Sequence, residues 1–142
     1  HPGVEIAFPV HPNPRVFDAA RKLLGGHDRI HLLEPVEYLP FVHLMKRARL
    51  ILTDSGGIQE EAPTFGVPVL VLRDVTERPE ALAAGTARLV GTHHDTIVAA
   101  ADELLEDKRT RSGMIHAGNP FGDGMAGERI ATFLMQGPEG TP

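Results

Sequence analysis

Short apolar runs alternate along this chain with segments whose apolar positions recur every three to four residues. The runs are Val4–Val10, Arg29–Leu33, Leu50–Leu52, Pro68–Leu72 and Ala87–Val90. Runs of this kind read as strands of a parallel sheet, and Val4–Val10 in particular is expected to be a buried strand. Between them, Arg15–Leu24 places Val16, Phe17, Ala20, Leu23 and Leu24 on one helical face, and Asp95–Asp107 repeats the stripe with Ile97, Val98, Ala101, Leu104 and Leu105. Tyr38–Ala48, a short segment ending at Gly66, and Pro79–Ala84 read as further helices. Polar residues Lys108–Ser112, a turn cluster at Asn119–Gly124 and a last helix from about Ala126 to Met135 complete the chain, with Gly137–Pro142 expected to be a disordered tail. Strands alternating with helices predict an α/β fold, a single Rossmann-like parallel-sheet sandwich over residues 1–136.

The punctuation between these elements carries the candidate chemistry. In an open parallel sheet, ligands sit where strands end and helices begin. Leu50–Leu52 runs into Thr53-Asp54-Ser55-Gly56-Gly57. Ser55 is an expected N-cap, and Gly56 and Gly57 let a ligand approach the backbone closely. The unpaired N–H groups and partial positive charge of a helix start suit a phosphate; equally, Ser-Gly-Gly is an ordinary tight connection. Glu61 lies about a turn and a half further along, within reach of a sugar. Pro63 shortens or kinks the helix, and Gly66 ends it. Past the Pro68–Leu72 strand, Arg73–Glu80 is mostly charged. Arg78 there can clamp a phosphate or pair with Glu61 or Glu77, or Thr76 can cap the next helix with the charges solvated. His11-Pro12-Asn13-Pro14 is a stiff turn that either aims His11 and Asn13 or simply caps the following helix with Asn13 and Pro14. Phe41, near a helix start, reads as core or as a base-lining residue.

Composition narrows the classes. A net charge of −5 without a basic patch argues against nucleic acid, and the absence of cysteine excludes disulfides and thiolate-bound metals. No apolar run approaches the roughly 18–20 residues of a membrane span, and no signal peptide is recognisable, so the expected setting is the cytoplasm. Neither G-x-G-x-x-G nor a Walker lysine motif occurs. The chain opens on His1, at the threshold of a strand, which reads as a piece of something longer.

Four motifs in order, His11-x-Asn13-Pro14, Asp54–Pro63, Arg73-Asp74-x-Thr76-Glu77-Arg78-Pro79-Glu80 and Asn119-Pro120-x-Gly122-Asp123-Gly124, resemble the bacterial non-hydrolysing UDP-N-acetylglucosamine 2-epimerases. The resemblance runs from Val4 to the final helix and matches most of the second of two Rossmann-like domains, the GT-B arrangement of nucleotide-sugar glycosyltransferases. It implies that the N-terminal domain is absent here, together with a Gly-His-Arg-Arg-Glu segment whose histidine is central to catalysis. It further implies that Ser55, Gly56 and Gly57 hold the diphosphate, Glu61 the ribose and Phe41 the uracil, while Arg78 and His11 line the nucleotide-sugar cleft. The implied reaction inverts C2 of the sugar, interconverting UDP-N-acetylglucosamine and UDP-N-acetylmannosamine through elimination and re-addition of UDP. No metal or nicotinamide is implied; the full-length partner is a second copy, in a homodimer. Two other readings stand beside this one: a glycosyltransferase half-domain, and a non-catalytic module that holds a UDP-sugar.

Overall fold

In the computed structural model, which describes residues 1–136, strand and helix alternate from Ile6 to Glu106 and helices follow. The chain divides into two units, His1–Leu44 and Met45 onward. In the first, β1 (Ile6–Pro9) pairs in parallel with β2 (Ile30–Leu33), and α1 (Pro14–Leu24) connects them and packs on β2. Asn13 caps α1 as its sequence implies: its side-chain oxygen accepts the Arg15 amide at 3.0 Å, and Pro14 fills the first helical position, where no N–H is needed. α2 (Tyr38–Arg47) crosses the division between the units.

The expectation of a buried first strand needs correction. Only Val10, just past β1, is buried; Ile6 is 51% exposed and Ala7 is also exposed. Within this unit the helix packed on the two-stranded ladder is α1, and it leaves its own Leu23 71% exposed. An apolar run specifies what prefers to be covered, not what covers it.

The second unit is built around β4 (Val69–Val71), flanked in parallel by β3 (Ile51–Thr53) and β5 (Ala87–Leu89). Ile51, Val69 and Ala87 share one register. All three β4 residues are 0% exposed. Successive strand side chains point to opposite faces, and two clusters follow from that. Val69 and Val71 pack with Ala62, Ala81 and Ala87 on one face; Leu70 packs with Val90, Ala100 and Leu104 on the other. The first face is covered by α3 (Gly56–Glu61), a tight 3-10 turn over Ala62–Phe65 and α4 (Pro79–Ala83); the second by α5 (His94–Glu106). Gly66 closes the 3-10 turn at φ 64, a left-handed conformation that costs glycine little. The parallel α/β architecture is thus as expected, its described pairings forming one two-stranded and one three-stranded ladder.

Two helices follow. The segment read as merely polar is α6 (Lys108–Ile115). Asp107 starts it, accepting the Arg109 amide at 2.8 Å and the Thr110 hydroxyl at 2.6 Å. α7 (Ala126–Gln136) is amphipathic, with Ile130, Phe133, Leu134 and Met135 60–82% exposed. Among the described residues no helix is long and apolar enough to cross a membrane.

Candidate functional site

Where β3 ends, the chain turns sharply. The buried Thr53 hydroxyl accepts the amide of Ser55 at 3.0 Å, which sets Ser55 in an extended conformation at the cap position of α3. The first helical hydrogen bond runs from the Gln59 amide to the Ser55 carbonyl at 3.4 Å. The amides of Gly56, Gly57 and Ile58 therefore precede the ladder. The Ser55 hydroxyl makes no capping bond to them. Neither Gly56 nor Gly57 has positive φ, so their glycines are not required by backbone conformation; what they contribute is the absence of a side chain over those amides.

The loop after β4 brings Arg78 to this turn. A Cβ built on Gly56 would lie 3.6 Å from Arg78 Nη2 and 3.7 Å from its guanidinium carbon. The guanidinium is therefore stationed against the start of α3. Its Nε donates to the carboxylate of Glu60 and its Nη1 donates to the Glu77 carbonyl at 3.1 Å. The sequence suggested Glu61 or Glu77 as the carboxylate partner; Glu60 takes that place, and Glu77 contributes its backbone. Glu60 holds the Arg78 pKa above its ordinary value, first through this hydrogen bond and then through its charge, with smaller contributions from Glu77 and Glu80.

Glu61 ends α3, five positions after Gly56, a rise of about 7.5 Å along the helix. It is half-buried and already interacts within the protein. Structure thus gathers Ser55, Gly56, Gly57 and Arg78 at one turn, with Glu61 at the far end of the same short helix. His11 and Phe41 belong to the first unit. His11 is exposed, and its Nδ1 accepts the Asn13 amide at 3.1 Å. Phe41 is half-buried in the first turn of α2, its amide bonded to the Glu37 carbonyl at 3.0 Å.

Three residues around the turn stand in the motifs quoted above but carry no individual role in the sequence reading. Gln59 is 1% exposed. Glu60 holds Arg78. Asn119 donates from its amide to the Glu60 carbonyl at 3.3 Å and to the Thr64 hydroxyl at 2.7 Å, while its oxygen accepts the Phe121 amide at 2.9 Å. Gln59, four positions after Ser55, carried a usable signal: a polar residue on the face of α3 that must be buried.

A turn with free-standing amides and a guanidinium is suited to an oxyanion. Comparison with known proteins gives the family. The sequence model described as UDP-N-acetylglucosamine 2-epimerase matches residues 1–135. A probable UDP-N-acetylglucosamine 2-epimerase of Ralstonia nicotianae is 59% identical over 135 residues, which are 95% of this chain and 36% of that protein. The S. aureus MnaA–UDP co-structure superposes with a TM-score of 0.92 at 46% identity, over 100% of this chain and 40% of that one. The UDP-GlcNAc 2-epimerase of Neisseria meningitidis, bound to UDP-GlcNAc, gives 0.86 at 47% identity over 95% of this chain and 37% of that one. The chain spans little more than a third of the length of these relatives. By sequence and by fold, it belongs to the UDP-N-acetylglucosamine 2-epimerase family.

Proposed function

We propose that residues 1–136 form the UDP-binding, C-terminal half of a cytoplasmic, homodimeric enzyme that interconverts UDP-N-acetylglucosamine and UDP-N-acetylmannosamine by inversion at C2. The observation that carries this reading is the Arg78 guanidinium set against Gly56 at the head of α3. In the proposed complex the Gly56 and Gly57 amides and the Ser55 hydroxyl donate to the diphosphate, and Arg78 neutralises it. Glu61 accepts from the ribose hydroxyls. In the first unit, Phe41 is assigned to the uracil and His11 to the nucleotide-sugar cleft. Family membership and a relative solved with UDP support the ligand class.

The chemistry asks for such donors. When UDP leaves C1, negative charge grows on the β-phosphate, and donors already in place stabilise it without reorganisation. Proton transfer at C2 needs acid–base groups, which the resemblance places outside this chain.

The test is a UDP titration followed by amide NMR. Ser55, Gly56 and Gly57 signals are expected to shift, and Arg78→Ala to weaken binding about tenfold, the loss of one charge-assisted hydrogen bond. Unmoved signals at saturating UDP would remove the pocket from Ser55–Gly57. The chain by itself is expected to turn over neither UDP-sugar; turnover would locate the acid–base groups here.

A further inference from the structure

Gln59 is almost wholly buried, and a buried amide must find partners for both its ends. Its Nε2 donates to the Ser55 carbonyl at 3.2 Å, and its Oε1 accepts the Thr76 hydroxyl at 2.7 Å. The opposite amide orientation would set two acceptor oxygens, Gln59 Oε1 and the Ser55 carbonyl, against each other, so the network fixes the orientation. Because an amide oxygen only accepts, Thr76 spends its proton on Gln59. Its oxygen then accepts the Arg78 amide, at 3.1 Å. The result is one continuous line: Ser55 carbonyl, Gln59, Thr76, Arg78 backbone. It ties the turn after β3 to the loop after β4 beneath the place where both face a ligand. The next residue of α3, Glu60, grips the Arg78 side chain at Nε. One short helix thereby holds both the backbone and the guanidinium of Arg78, leaving Nη2 as the nitrogen that faces Gly56.

We propose that Gln59 and Thr76 are positioning residues that preset Arg78 over the Ser55–Gly57 turn, so that the guanidinium is in place before the diphosphate arrives. This rests on the UDP-binding reading above. An arginine left free would have to give up rotamer freedom on binding, and one already held does not. The line therefore serves affinity and not only folding.

Folding and affinity are separable by substitution. Thr76→Val removes the hydroxyl and strands a buried Gln59 oxygen, so it lowers both thermal stability and UDP affinity. Thr76→Ser keeps the hydroxyl and is expected to keep both. The double variant Gln59→Met with Thr76→Val replaces both side chains by apolar groups, which recovers the part of the stability lost to the stranded Gln59 oxygen. Its UDP affinity is expected to stay about tenfold below that of the unsubstituted chain. Its Arg78 Nε–H resonance, recorded without ligand, is expected to be displaced and to exchange faster. A double variant that binds UDP normally with an unmoved Arg78 Nε–H signal would overturn the proposal. If the unsubstituted chain does not bind UDP, the functional reading falls, and the ligand-free Arg78 signal alone decides for or against the bridge.

Discussion

β1 and β4 are both short, apolar, parallel strands, yet their surroundings differ completely. β4 lies between two strands and two covered faces, and no part of it is exposed. β1 has one strand neighbour, and its first residue is half open to solvent. The surroundings of the candidate residues follow the same division. In the second unit, the turn at Ser55 stands on a filled core and is tied by the Thr53 hydroxyl and the buried Gln59 amide. In the first unit, His11 lies in an exposed turn, where its ring accepts the amide two residues on. A site is rigid where its supporting layer is closed.

The largest expected effect tests the two cores. Leu70→Ala should cost about 2–5 kcal/mol in urea unfolding, because it opens a cavity between β4 and α5. Ile6→Ala should cost no more than about 0.5 kcal/mol, as at other exposed positions. Equal losses would mean that β1 is covered in solution. A middling effect sharpens the contrast between folding and binding within the second unit. Gly56→Ala brings a methyl into ordinary contact with Arg78 at 3.6 Å and asks nothing unusual of the backbone. Stability should hold or rise slightly, whereas UDP affinity, measured by calorimetry, should fall about three- to tenfold. An affinity unchanged by that methyl would show that ligand does not approach there.

The smallest effect is a pH dependence. Glu103, Asp107 and Asp123, all in the second unit, have carboxyls held below their usual range, chiefly by hydrogen bonds from Arg88, Thr110 and Arg129 respectively. A folded-state pKa below the unfolded one contributes stability that is complete above the unfolded value. It is lost as pH falls through the folded value. The urea midpoint should thus be flat from neutrality to about pH 5 and decline below about pH 4. A decline already complete by pH 5 would point to other groups.

Much of this was readable beforehand, and the exceptions have physical causes. Asn13 as a cap, Gly66 as a stop and Val69–Val71 as a strand follow from local chemistry, which a sequence displays directly. α6 is hard to read in the sequence because only Met114 and Ile115 mark its apolar side, while its start signal is one aspartate and a threonine three residues later. The apolar run at β1 predicts burial, but such a run says nothing about how many layers will cover it. Arg78 was recognised, but its partner was not: Glu60, Glu61 and Glu77 are alike in composition, and only the packing of α3 against the β4–α4 loop selects Glu60. Thr76 reads in the sequence as a cap for the helix at Pro79, but Arg78 holds the cap position of α4; the tie between Thr76 and Gln59 is not legible because the two meet from 17 residues apart.

Asn119 carries a consequence for where this protein can be cut. Its side chain comes back across 59 positions to engage the Glu60 carbonyl, and reaches Thr64 as well. A segment trimmed at the close of α6 would retain all three strands of the larger ladder and still leave the Glu60 carbonyl, in the last turn of α3, without its Asn119 donor. The boundary of the working unit therefore falls beyond the last strand and the helices that cover it, at a polar turn that contributes nothing to the sheet.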